Sequence, residues 1–401
     1  MRSATAVTYE LDDISAAAGE LLEQLGAKFV PGKESVGILH AQPHMDVAGL
    51  SGALSEKLGF PVIGGTTAGA ATLSNEGYHE LAAILHVMTG DDCLFAAAIS
   101  ESMEREPRAR ITAVYEEALS SLRAKDPEAS PRMIFCVTSI VQSYSSDDSL
   151  SALSDASAGI PVFGYVAADD FEFSQQQVFL SGVSGGDLLA LLLIAGDVHP
   201  IFEVKNLACS QPISKRKVTK AHDNVICEID GKPAYEYLKE FPFIDDETKV
   251  LWNYQFFVEM EEDAENDGVA VSRALNTYDK ETGEISCFAG VPQNSSIGLL
   301  FCDDSHVKAS AERATRGVLE KIKEGQKAGR SYSTMFVASC SLRNMFLADR
   351  KDAEGNLIRE ILPPSLTVSG IYAFGEIAPT SVKDGRAVNR FHNATMTICV
   401  L

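Results

Sequence analysis

The residues best suited to chemistry lie in the last sixty-two positions of the chain. Cys340 ends an apolar run, Ser341 and Arg343 follow it, and Glu376 sits at a turn in GIYAFGEIAP. His392, Asn393 and Thr395 come just before the final apolar run. An arginine can clamp a carboxylate, a carboxylate can hold an amine, and Asn and His can complete the hydrogen bonding. The set therefore suits a molecule of the size and charge of an amino acid. The alternative is an ion pair between Arg343 and Glu376 beneath a loop. A thiol enzyme is a third reading, because His392 near Cys340 would activate the sulfur.

Other strings imitate catalytic motifs without their context. Gly182-Val183-Ser184-Gly185-Gly186 fits G-x-S-x-G, but that chemistry requires a helix after the serine. The run Leu188–Ala195 reads as a strand instead, so Ser184 belongs to a turn and is the weaker hydrolase candidate. Gly64-Gly65-Thr66-Thr67-Ala68-Gly69 lacks the spacing of a nucleotide cradle and reads as a tight corner or a close backbone approach to a small ligand. Asp263–Gly268 resembles a calcium loop only until its twelfth position, Ala274. Pro43 separates His40 from His44, and no third ligand lies nearby in sequence, so no metal and no cofactor is expected.

The elements that must position these residues recur three times. A helical pattern at Ile14–Leu25, a short apolar run at Val36–His40 and a small-residue helix at Gly52–Gly59 lead to PVIG at Pro61–Gly64 and the run Leu81–Val87. Ile111–Leu122, Met133–Val137, Ser149–Gly159, PVFG at Pro161–Gly164 and Leu188–Ala195 repeat that order. So do Val307–Glu324, Met335–Cys340, Leu357–Leu362, TVSG at Thr367–Gly370 and the C-terminal ATMTICVL. Runs of this length rich in Val, Ile and Phe suit strands. The expectation is a mixed α/β (α+β) fold of repeated αβαββ units, forming mixed sheets with helices on their faces. A fourth slot of about the same size lies between the second and third copies, and residues 215–300 fill it differently. The basic stretch Lys205–Lys220 reads as a linker, which places a boundary between residues 1–208 and 209–401.

At 401 residues, and ~150 per domain, two to three domains are expected. The net charge of −22 excludes nucleic acid as a general partner. The longest apolar run is far below the ~20 residues of a membrane helix, and MRSATAVTYELDD has no apolar leader. Eight cysteines without a CxxC pair suit a reducing, cytoplasmic setting.

Five segments together resemble the FIST family, a sensory domain of F-box and intracellular signal-transduction proteins. They are VICEIDGKPAYEYL, EISCFAGVPQNSSIGLLF, FVASCSLRN, GIYAFGEIAP and RFHNATMTICV, with IGGTTAGAATLS matching the family's N-terminal corner. The family corner usually carries a cysteine and a glutamate where this chain has Gly65 and Ala70. The Cys-x-x-Arg is kept as Cys340 and Arg343. The resemblance implies a non-enzymatic sensor that binds a small ligand, an amino acid or its derivative, and signals in trans to a separate output protein. It points to Thr66, Thr67 and Gly69 in the N-terminal half and to Cys340, Arg343, Glu376, His392, Asn393 and Thr395 in the C-terminal half. A hydrolase and a protein-interaction scaffold are the competing functional classes.

Overall fold

The computed structural model describes residues 1–69, 71–141, 144–207, 215–241, 244, 251–259 and 270–401. The boundary expected at 208/209, the middle of the basic stretch and the acidic loop at 263–268 lie outside the described residues.

Three units follow one another. The first contains β1 (Arg2–Thr8), α1 (Ile14–Lys28), β2 (Ser35–Ala41), α2 (Val47–Leu58) and β3 (Val62–Thr66). The hairpin β4 (Ala71–Ser74) and β5 (Gly77–Glu80) precedes its last strand, β6 (Ala83–Thr89). The second contains β7 (Cys93–Ile99), α3 (Pro107–Lys125), β8 (Pro131–Thr138), α4 (Ser146–Ala156) and β9 (Val162–Val166). Its hairpin is β10 (Val178–Leu180) and β11 (Val183–Gly185), and it closes with β12 (Leu189–Gly196).

The third unit opens with β13 (Ile201–Lys205), and a separate sheet is inserted after it. That insertion comprises β14 (Arg216–His222), β15 (Val225–Ile229), β16 (Lys232–Pro233), α5 (Ala234–Leu238) and β17 (Tyr254–Glu259). It ends with β18 (Val271–Tyr278), β19 (Ile285–Cys287) and β20 (Ser296–Phe301). The third unit resumes with α6 (Asp304–Lys327), β21 (Thr334–Cys340), α7 (Ser341–Leu347), α8 (Ala353–Ile361) and β22 (Thr367–Ala373). The hairpin β23 (Gly375–Lys383) and β24 (Arg386–His392) and the strand β25 (Met396–Val400) complete the chain.

Each unit forms the same four-stranded core: β1-β6-β2-β3, β7-β12-β8-β9 and β13-β25-β21-β22. The last pair of each core, β2/β3, β8/β9 or β21/β22, is parallel and the other pairs are antiparallel. The repeat is thus richer than αβαββ: a strand precedes the first helix in each copy. Those strands escape sequence pattern because RSATAVT is polar, CLFAAAI is rich in small residues and IFEVK is short.

The hairpins do not stay with their own units. β4 adds to β22 of the third unit, β10 to β3 of the first, and β23 to β9 of the second. The exchange closes a ring of three sheets around one apolar centre. Ile38 and Ile63, Phe135 and Phe163, and Phe336 and Ile371 meet there, two from each unit. Helices cover the outer faces over separate cores. A lysine from the first helix of each unit reaches a main-chain oxygen of that unit's first strand: Lys28 to Thr5, Lys125 to Phe95 and Lys321 to Phe202. A cation on an edge strand discourages pairing with another chain.

The recurrent glycine of PVIG, PVFG and TVSG has a steric cause. A Cβ on Gly64 would stand 1.9 Å from Leu39 O, on Gly164 1.8 Å from Cys136 O, and on Gly370 2.9 Å from Val337 O. Each glycine is the register partner of that residue across the parallel pair. A main-chain oxygen in the middle of a sheet cannot give way as a flexible side chain can. Gly164→Ala is therefore expected to cost about 3 kcal/mol or more, the upper range of core overpacking. Urea denaturation checks this; a loss below ~1 kcal/mol would show that the strands can separate cheaply.

Candidate functional site

The C-terminal ends of the parallel strands bring polar residues together, the edge at which α/β sheets commonly hold ligands. Cys340 ends β21, and Arg343 lies in the first turn of α7. Its guanidinium is fully buried and already bonded in several directions. Nη2 stands 2.5 Å from Glu354 Oε1, and Nε lies 3.1 Å from both Glu354 Oε1 and Ser339 Oγ. Nη1 donates to Ser310 Oγ at 2.8 Å and Nη2 to Val307 O at 3.3 Å. The counter-ion is Glu354 of α8, so the alternative of an ion pair between Arg343 and Glu376 does not hold. The charges of Arg343 and Glu354 offset each other where no water reaches them.

Glu376 faces the other way. It opens β23 opposite Tyr165 of β9 and His392 of β24. Its Oε2 accepts Thr395 Oγ1 at 2.6 Å and Thr395 N at 3.2 Å, while Oε1 has no partner. Burial lifts this carboxyl to about 8, against the opposing pull of Thr395, the charge of Arg343 and the weakly donating Cys340 thiol. Its predominant form at pH 7 is protonated. Asn393 is buried with its Oδ1 also unpartnered.

Cys340 lies close to Glu376, and both burial and that carboxyl push its thiol well above the ordinary range. Its side chain packs with Ala274 and Leu342, beside Trp252, Phe288 and Phe346. The His392 ring instead hydrogen-bonds through Nε2 to Ala378 O at 3.1 Å, and burial lowers it to about 3. Cys340, Glu376 and Thr395 are therefore gathered together, whereas His392 is turned to the backbone of its partner strand.

In the N-terminal corner the hydroxyls serve the chain crossing. Thr66 Oγ1 donates to Ala168 O at 2.7 Å and accepts from Gln177 N at 2.9 Å. Thr67 Oγ1 lies 2.5 Å from Ala71 O and 3.2 Å from Tyr372 O. These contacts fasten the point where the chain leaves the first sheet for the third. Gly69, at φ +60°, is where the corner reaches the C-terminal half: a Cβ there would be 3.3 Å from Asn344 Oδ1.

Residues absent from the sequence-based site surround that contact. Asn344 is buried with Nδ2 unpartnered, and it influences the hydroxyls of both Tyr78 and Tyr372. Asn344 closes the FVASCSLRN segment, which was its one sequence signal. Tyr372 lies within the GIYAFGEIAP segment, whereas Glu354 and Tyr78 lie in stretches with no motif.

An aromatic group covers the side facing the inserted sheet. Phe171 and Phe173, both at positive φ, occupy a loop held by buried Asp169, whose carboxylate accepts the amides of Phe173, Ser174 and Gln175. Phe171 stacks on Trp252, and Phe173 stacks on Phe374 at 4.6 Å. Ser184 is followed by β12 rather than a helix and donates to Gln177 Oε1 at 3.0 Å, so it is not a nucleophile elbow. Among the described residues no cluster of three or more His, Cys, Asp or Glu could hold a metal, and no helix is long and apolar enough to cross a membrane.

A cleft of about 710 Å³ lies elsewhere, between the first and third units. Residues of β1, α1, the β4–β5 turn and the α8–β22 connection line it, and none of the expected site residues does.

Among solved structures the chain aligns with T. maritima PurL complexed with ATP at 8% identity and a TM-score of 0.19, covering 99% of this chain and 71% of that one. It also aligns with T. maritima PurL complexed with FGAR at 8% identity and a TM-score of 0.21, covering 99% and 72%. Likeness at that level carries no argument about fold or function. No curated protein matches the chain. Family models do: the FIST N domain matches residues 35–232 and the FIST C domain residues 234–379. With the Cys340–Arg343 segment, the Glu376 turn and the N-terminal corner meeting across one junction, the chain belongs to the FIST family of sensory domains.

Proposed function

We propose that the protein binds an amino acid or a related small polar metabolite beside Glu376 and signals in trans to a separate cytoplasmic output protein. Residues 1–208 and 209–401 are taken as its N-type and C-type halves. The observation that carries the reading is the buried, unpartnered Oε1 of Glu376. A lone buried acceptor is costly unless a donor meets it. An ammonium group satisfies it and, as a nearby positive charge, stabilises the carboxylate. Asn393 Oδ1 is a second unpartnered acceptor. Arg343 acts as a structural neighbour in this reading, because its donors are already taken.

The thiol-hydrolase alternative loses support from Cys340, whose thiol is pushed up rather than down, and from His392, whose ring bonds to Ala378. Titration with the common amino acids by calorimetry at pH 7 tests the sensor reading. Saturable heat without turnover is expected, with proton release visible as a dependence on buffer ionisation enthalpy. Glu376→Gln should weaken binding by roughly ten-fold or more. Equal affinity in the folded variant, or no binding by any amino acid, overturns the reading.

A further inference from the structure

The large cleft carries a feature that the sensor site does not use. Ser74 Oγ lies 2.6 Å from His79 Nε2, and His79 Nδ1 lies 2.7 Å from the hydroxyl of Tyr9. Ser74 and Tyr9 both line the cleft. A hydroxyl within hydrogen-bond reach of an imidazole, which is itself oriented by a third group, is the arrangement of an activated nucleophile. Ser74 and His79 are buried, and burial lowers the His79 pKa, so the imidazole is neutral at pH 7 and able to accept a proton.

Ser74 Oγ also accepts the Glu76 amide at 3.0 Å within the β4–β5 turn, but the contacts to His79 and Tyr9 are not needed to hold the hairpin. Asn75 already fixes the β4–β5 turn, donating from Nδ2 to Leu366 O at 2.6 Å and accepting from Val368 N at 2.8 Å. The other two exchanged hairpins make an internal comparison. Aligned on the sheet that each hairpin joins, Ser74 is matched by Leu180 and Ala378, and His79 by Gly185 and His392, whose ring bonds to Ala378 O rather than to a hydroxyl. Neither hairpin carries a serine–histidine pair, yet both add to their sheets in the same way.

The cleft also has the charge to select a substrate. Lys28 and Arg359 line it, and neither makes an ion pair among the described residues. Lys28 reaches only Thr5 O at 3.5 Å, and Arg359 only Glu76 O at 3.2 Å. Glu20 and Glu76 line the same cleft, so its charge is balanced overall, and Lys28 and Arg359 are the two points in it where an anionic group can be met. The volume is within the range of small-molecule sites.

We propose that Ser74 and His79 form an acyl-transfer dyad, with Tyr9 as a positioning residue, acting on small esters that carry a carboxylate or phosphate. Ser74 Oγ attacks the ester carbonyl carbon while its proton passes to His79 Nε2, and His79 Nδ1–H donates to the Tyr9 oxygen. The bond to the leaving alcohol breaks, and the alcohol takes the proton from His79. Water then cleaves the acyl-serine by the same route, releasing the carboxylic acid and restoring Ser74.

The test incubates the intact chain with mono-4-nitrophenyl succinate and, in parallel, with 4-nitrophenyl acetate. The expected result is a burst of nitrophenolate and a succinyl adduct mapped by mass spectrometry to the peptide containing Ser74. Ser74→Ala, shown to be folded by its melting curve, removes the adduct, and His79→Gln slows its formation by about a hundredfold or more. Lys28→Ala with Arg359→Ala slows the succinate ester by roughly ten-fold but leaves the acetate ester unchanged. No adduct on the wild-type chain, an adduct that survives Ser74→Ala, or a rate indifferent to His79→Gln overturns the proposal. Because the adduct is read on the wild-type protein, failure of a variant to fold does not mask the answer. Amino-acid binding at Glu376 is a separate measurement and is untouched by either result.

Discussion

Acidification from pH 7 to pH 5 is expected to remove about 3 kcal/mol of folding stability, a substantial share of the ~5–15 kcal/mol typical of folded domains. Three buried histidines set the direction. His40, His86 and His392 are each lowered by burial to about 3, against an ordinary value of 6.5. The unfolded chain therefore takes up protons below pH 6.5 while the folded chain does not until pH 3. Stability present above pH 6.5 is lost as the pH falls, by about 2 kcal/mol for each histidine at pH 5.

Glu376 opposes the loss. Its folded value of about 8 lies above the unfolded 4.5, so its contribution grows as the pH falls from 8 to 4.5. It returns about 2–3 kcal/mol between pH 7 and pH 5 and nothing further below 4.5. The loss then steepens to about 4 kcal/mol per pH unit until the histidines titrate in the folded state.

His86 is the best place to check this. It is fully buried, neither ring nitrogen has a hydrogen-bond partner, and its ring lies 4.9 Å from that of Phe336. A neutral imidazole always carries one N–H, and an unsatisfied buried donor costs about 1–3 kcal/mol. His86→Phe is thus expected to be neutral or stabilising at pH 7 and to retain about 2 kcal/mol more than the wild type at pH 5. Urea denaturation at pH 7, 6 and 5 measures both effects. Parallel pH profiles for the two proteins would falsify the assignment of the acid loss to this ring.

Much of the framework was legible because it rests on patterns the chain repeats. The β2/β3, β8/β9 and β21/β22 pairs follow from short apolar runs ending in PVIG, PVFG and TVSG, and the glycine in each follows from a main-chain oxygen beside it. The exchange of hairpins was not legible. Nothing in Ala71–Ser74 says whether it should pair with β3, its neighbour in sequence, or with β22, almost three hundred residues away. Strand pairing of that range depends on the closure of the whole ring.

The site divides in the same way. Cys340, Glu376 and Thr395 come together because strand ends gather at one edge, which a strand assignment is enough to predict. The partner of Arg343 depends on the packing of α8 against α6, which its sequence does not state. The thiol–histidine geometry fails for a related reason: the β23–β24 register sends the His392 ring to Ala378.

Arg343→Ala is expected to cost about 3–5 kcal/mol, because it strands the Glu354 carboxylate where its own exposure is nil. The same removal leaves Ser310 Oγ and Val307 O without the guanidinium that now meets them. Replacing both charges, Arg343→Met with Glu354→Leu, should restore most of that stability, since a buried ion pair exchanged for apolar volume is often near neutral. Thermal and urea denaturation of the single and double variants measure the coupling. The ligand then separates structure from recognition. If the guanidinium only braces α6, α7 and α8, the double variant binds amino acids as the wild type does. If it also takes the ligand's carboxylate, affinity falls by about ten-fold or more in a protein that is fully folded. The charge of Arg343 also lowers the Glu376 carboxyl, so its loss moves that group further up. At pH 7 that carboxyl is already mostly protonated, so the extra proton release is read at pH 8 to 9, where the wild-type group is only partly protonated. Increased release there, with affinity lowered by no more than the added cost of deprotonation, places Arg343 behind the site, holding the helices and tuning the carboxyl that meets the ligand.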